Sequence, residues 1–159
     1  GRLDARRTLK SLVADLRMDK KAILDKVYTR TYYIGESRKR ENIDASIIQA
    51  CEDNSDILED YFKSALNELN FYSQKRLVKV VMNEETIEVT SERVKNEELK
   101  ECLENLVSDY LAEYVLFRWL SDNGYGISPE GVSNALENVK DCICALAPKV
   151  RRRAANMGI

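Results

Sequence analysis

The sequence predicts a mainly α fold: a helical bundle of five or six helices with a single β-hairpin near residues 77–90. Two observations carry that expectation. Apolar residues recur at three- and four-residue spacing along most of the chain, whereas the stretch LVKVVMNEETIEVT alternates residue by residue. Composition agrees, with 44% hydrophobic and 33% charged residues, two prolines and six glycines among 159 residues, the balance of a folded, helix-rich chain. A chain of this length can bury about 70% of its unfolded surface. One helical domain over residues 2–153 is therefore expected, with residues 2–17 as an N-terminal extension helix and 154–159 as a C-terminal tail.

Leu9, Leu12, Val13 and Leu16 place a helix over residues 5–17. Asp19 is a cap for a second helix, 20–31, with Ile23, Leu24 and Val27 inward. TYYIGESRKREN, with Gly35 and its polar run, reads as a loop. Asp44 opens a short helix carrying Ile47, Ile48 and Cys51. Asp56 and Glu59 have capping-box spacing at the start of a helix reaching Arg76, with Leu58, Phe62, Ala65, Leu66, Leu69 and Tyr72 on one stripe.

The hairpin follows, turning at Asn83, Glu84 and Glu85. Leu99, Leu103, Leu106, Tyr110, Tyr114, Phe117 and Leu120 stripe a long helix over 96–121, and Val107, Leu111, Ala112, Val115, Leu116 and Trp119 give it a second apolar face near its end. A helix apolar on two sides belongs between others. Gly124 and Gly126 break it. Ser128 caps a last helix, 128–147, with Pro129 at its first position and Val132, Ala135, Leu136, Val139, Cys142 or Ile143, and Leu146 inward. The helices 56–76, 96–121 and 128–147 are the expected core.

Net charge is −2 but uneven: residues 1–40 carry 12 Lys/Arg against 5 Asp/Glu, and Lys149, Arg151, Arg152 and Arg153 make the C-terminus basic. The middle of the chain is correspondingly acidic. Such a distribution suits head-to-tail contact with copies of itself or with other proteins, although helix ends and solvated faces also collect charge. The four cysteines follow no framework; Cys142 and Cys144 stand about 200° apart on a helix, which rules out a shared metal ion and favours small buried hydrophobes in a reducing compartment.

Histidine is absent from the sequence, which removes the commonest general base and most zinc and di-iron sites. No glycine-rich phosphate loop is present, and Glu97, Glu98, Glu101 and Glu104 fall on the outward side of an amphipathic helix. The expectation is a protein without catalytic residues, cofactor or metal. No segment is apolar enough to span a bilayer or to act as a signal peptide. The basic N-terminal region with Tyr32 and Tyr33 has the makings of a nucleic-acid contact, but no recognised nucleic-acid-binding motif accompanies it and the pI is about 5.4.

The element order, with TRTYYIGES, DNSDILEDYFKSALNEL, the alternating segment, DYLAEYVLFRWL and a basic end, resembles small proteins encoded among the structural genes of bacterial prophages. In outline it is similar to the helical head–tail connector (adaptor) proteins of long-tailed phages. The resemblance spans about residues 18–153 and carries no diagnostic motif. It implies a non-enzymatic virion-assembly protein, an oligomer located in the bacterial host cytoplasm or the virion, whose partners are itself or other phage structural proteins. Ring assembly needs unlike surfaces to meet, and a hairpin edge, a basic end and an acidic middle would supply them. The same hairpin would equally serve to cover the open end of the bundle. The partner-contact candidates are Lys79, Val81 and Glu88 in the hairpin, Tyr32 and Tyr33 in the loop, and Arg151, Arg152 and Arg153 in the tail. Two alternatives stand beside this reading: a small cytoplasmic regulator binding nucleic acid through its basic ends, and a helical interaction module of a bacterial system unrelated to phage.

Overall fold

A computed structural model of the chain describes residues 14–41, 48–76, 78–91 and 97–146. In chain order these form β1 (Ala14–Asp19), α1 (Lys20–Arg40), a 3-10 turn (Glu52–Asn54) and α2 (Ser55–Ser73). A second 3-10 turn (Gln74–Arg76), β2 (Val78–Met82), β3 (Thr86–Ser91), α3 (Glu97–Asp122) and α4 (Glu130–Leu146) follow. The class is α-rich with a small sheet. Four α-helices are described rather than five or six, and the sheet has three antiparallel strands in the order β1-β3-β2.

The third strand corrects the expected N-terminal helix where that helix falls on described residues. Leu16 and Met18 turn inward, Arg17 and Asp19 outward, and the register sets Met18 opposite Ile87 and Leu16 opposite Val89. The helical spacing of Leu9, Leu12, Val13 and Leu16 masked this alternation, because the inward pair Leu16 and Met18 is too short a period-2 signal to outweigh it. On β2, Val80 and Met82 face Val89 and Ile87 across the ladder, so one sheet face is apolar and packs on the helices.

Asp19 is the N-cap of α1, its carboxylate accepting from the Lys21 N–H at 3.0 Å. α1 does not stop at the tyrosines but runs nine residues beyond the expected helix, to Arg40. Gly35 breaks nothing because its missing side chain is what lets Gln49 approach: a Cβ there would lie 2.7 Å from Gln49 Cγ. Fully buried Thr31 holds the same crossing, donating to Tyr28 O at 3.0 Å and accepting from Ala50 N–H at 3.1 Å. The helix expected from Asp44 lies largely outside the described residues, and its described end, Ile48 to Cys51, is not helical. The Asp56–Glu59 capping box does not form; Glu59 is drawn away to Lys20.

α3 is central, as its two apolar faces require, with Leu103, Val107, Tyr110, Leu111, Val115, Leu116, Trp119 and Leu120 all buried. α2 lies against it through Leu58, Phe62, Ala65, Leu66 and Leu69. α4 folds back along it after Gly124, whose φ of +78° suits only glycine without strain. The Ser128 hydroxyl accepts from the Glu130 N–H at 3.2 Å, as its capping role predicts. Lys26–Asp109 and Arg30–Glu113 bridge α1 and α3 at matching four-residue steps, so these two helices run parallel.

Candidate functional site

Lys79, Val81 and Glu88 come together on the solvent face of the sheet. Val81 and Glu88 are opposite one another on β2 and β3, and Arg17 on β1 reaches Glu88 with 3.4 Å between Nε and Oε1. The edges of this sheet are not those of an isolated hairpin. One edge of β3 is taken by β1. On β2 the Asn83–Thr86 closing bond fixes which groups point outward, and those of Val80 are among them. A single side chain from α2 satisfies both: Asn70 Nδ2 donates to Val80 O at 2.7 Å, and Asn70 Oδ1 accepts from Val80 N–H at 2.8 Å. A carboxamide here does the work of a neighbouring strand.

Tyr32 and Tyr33 lie on α1, not in a loop. They are 51% and 67% exposed, and their rings make an edge contact with centroids 5.7 Å apart. The other six tyrosines are buried or partly buried. With Tyr28, Thr29 and Ala50 the pair lines a shallow groove of about 340 Å³. Burial, then the charges of Glu52 and Asp25, push the Tyr28 hydroxyl pKa upward, keeping it a neutral donor. The last turn of α1 carries Arg38, Lys39 and Arg40; Arg38 stacks over the Tyr125 ring at 4.3 Å and Lys39 pairs with Glu36 at 3.1 Å. Tyr32 stands about 18 Å along α1 from its start beside the hairpin turn. The tyrosine pair and the sheet residues are therefore two surfaces rather than one. Arg151, Arg152 and Arg153 lie outside the described residues.

One cleft escaped the sequence reading. It opens between α1, α3 and α4, encloses about 670 Å³, and is flanked by Lys26, Arg30, Asp109, Glu113, Asn134 and Asn138. The Lys26–Asp109 contact measures 3.8 Å, and Arg30 Nη1 bonds Glu113 Oε1. Each cation is matched by an acid, and Asp25 adds a third carboxylate to the lining. The signal was in the sequence as two i,i+4 charge pairs of opposite sign, but only knowledge that α1 and α3 are parallel neighbours aligns them.

A second recess of about 620 Å³ sits at the hairpin turn, where nearly buried Lys20 bonds Glu59 and donates to Glu84 O at 3.3 Å. The Lys20 ammonium lowers the Glu59 carboxyl pKa, first through that hydrogen bond and, after a smaller opposing effect of burial, through charge. This group is a structural clasp of β1, α1, α2 and the hairpin, its donor spent internally.

Among the described residues no group of three or more Cys, Asp or Glu side chains is placed to hold a metal ion. No described helix is long and apolar enough to cross a membrane. Compared with protein-family models, curated protein sequences and solved structures, the chain gives no significant match.

Proposed function

We propose that the chain is a non-enzymatic assembly protein working through protein–protein contacts made by the tyrosine-bearing face of α1. A subunit of the phage head–tail connector kind, acting in the host cytoplasm or the virion, is the narrower form of this reading. The observation that supports it is the exposure of Tyr32 and Tyr33 side by side on a rigid helix, beside a groove. Paired aromatic rings with polar tips are the side chains that most often anchor a protein interface, because they bury large area at small entropic cost. The contact is made by a helix face, since the Val80 position on the outer hairpin edge is already bonded within the chain.

The test is native mass spectrometry and sedimentation of the chain alone and mixed with the proteins encoded beside it. Higher-order species that are lost in Tyr32→Ala/Tyr33→Ala support the reading. A strict monomer that also ignores its gene neighbours sinks it. Neighbouring genes for a portal, capsid or terminase would support the phage form, and their absence would remove it.

A second reading has its own observation. The exposed tyrosines share α1 with three basic residues in its last turn. Rings that stack on bases beside cations that meet phosphates make a single-stranded nucleic-acid contact. Salt-sensitive retention on a DNA column, weakened by Arg38→Ala/Arg40→Ala, would favour it; flow-through at low salt would exclude it.

A further inference from the structure

The register between α3 and α4 brings two cysteines level. Glu113 and Gly131 fix the alignment: a Cβ on Gly131 would lie 3.1 Å from Glu113 Oε2. Three turns back along α3 and three turns forward along antiparallel α4, about eleven residues each, arrive at Cys102 and Cys142. Three turns also return each side chain to the helix face it started from, so both thiols point into the same seam. They lie within hydrogen-bonding reach of one another. Cys102 is exposed at the rim and Cys142 is buried behind it.

We propose that Cys102 and Cys142 are a reversible disulfide pair that staples α3 to α4 when the protein meets a hydroperoxide. Helices packed roughly 8–10 Å apart bring facing Cα atoms to roughly 3.5–5.5 Å, which overlaps the span a disulfide bridges. The roles divide by exposure. The Cys102 thiolate attacks the peroxide, forming a sulfenic acid and releasing water as hydroxide takes up a proton. The Cys142 sulfur, on losing its proton, then displaces the sulfenic oxygen as a second water. The balance is two thiols and one H₂O₂ giving one disulfide and two waters. Burial, helped by Cys102, holds the Cys142 thiol pKa up at about 11, so the buried partner resolves and does not initiate.

The remaining cysteines are placed differently. Cys144 is about 200° further round α4, its sulfur 2.9 Å from the Tyr72 hydroxyl, and Cys51 is exposed before α2 with its sulfur 3.4 Å from Asn54 Oδ1. Neither shares the seam. Closing a loop of roughly 40 residues restricts the unfolded chain, so the oxidised form should melt higher by about 5–10 °C.

The experiment treats the full chain with a small excess of hydrogen peroxide, then reads intact mass, a non-reducing peptide map and Tm. The expected result is a 2 Da loss, a single linked peptide pair containing Cys102 and Cys142, and a Tm increase reversed by dithiothreitol. Cys102→Ser, an exposed substitution that should fold normally, must abolish all three, while Cys51→Ser and Cys144→Ser leave them intact. A 16 Da gain at Cys102 without linkage, a bridge to Cys144, or disulfide-linked dimers through Cys51 would each overturn the pairing.

Discussion

On its α2 side the central helix α3 buries Tyr110 and meets buried Tyr61, and each hydroxyl has a fixed partner; on its α1 side, beside the buried Ile23 and Val27, it also carries ion pairs that stay largely in solvent. The Tyr110 hydroxyl donates to Ala65 O at 3.1 Å and lies 3.3 Å from Glu68 Oε2, and the Tyr61 hydroxyl donates to Asp122. Lys26, Arg30, Asp109 and Glu113 keep roughly a third to two thirds of their side-chain surface in water. Burial makes the tyrosine contacts costly to disturb, whereas screening makes these ion pairs cheap. The tyrosines follow the same division. Tyr61 and Tyr110, between α2 and α3, are buried, whereas Tyr32 and Tyr33 on α1 are exposed.

Four measurements would break or sharpen this contrast. The largest effect is expected from Phe62→Ala, which empties a fully buried site on α2 and should cost about 3–5 kcal/mol in urea denaturation. Asn70→Ala comes next. It orphans the Val80 N–H and C=O and should cost about 1–3 kcal/mol, with concentration-dependent association through the bared β2 edge. Asn70→Asp keeps the acceptor for the Val80 N–H but sets a second acceptor against Val80 O, so it should not restore the parent stability.

Alkaline titration is the third measurement. Burial, then the hydrogen bond and charge of Asp122, raise Tyr61 to about 12, and burial with Glu68 raises Tyr110 in the same direction. Unfolded tyrosine ionises near pH 10. The folded chain thus retains protons that the unfolded chain has lost, so this stability is intact below pH 10 and declines as pH rises toward 12. Tyr61→Phe should flatten that decline; an unchanged slope would show that the hydroxyl is not held as described. The smallest effect on stability is expected from Tyr32→Ala/Tyr33→Ala, within about 0.5 kcal/mol of the parent chain. A loss of several kcal/mol there would move the pair into the structural class and remove the contrast.

The sequence made some elements easy to read and hid others for physical reasons. α2, α3 and α4 were legible because long amphipathic periods leave little choice of face, and Asp19 and Ser128 because a capping side chain acts on its own neighbours. β1 was hidden because a short strand has no identity until β3 pairs with it. α1 was cut short because Gly35 reads as a breaker unless one knows that Gln49 must fit against it. Alternation put Lys79, Val81 and Glu88 in the hairpin, and the register sets them on one face of the sheet. The cleft and the Asn70 clasp depend on residues from separate elements, and local pattern does not rank such meetings.

The Asn70 clasp also has a kinetic consequence. It protects the β2 edge only while the last turns of α2 hold the carboxamide in place, and helix ends open far more often than whole domains. Exposure of the edge should therefore track fraying of α2 around Asn70 rather than global unfolding. Solutions of the intact chain would then begin to self-associate at temperatures well below Tm, at a rate proportional to how often that helix end lets go.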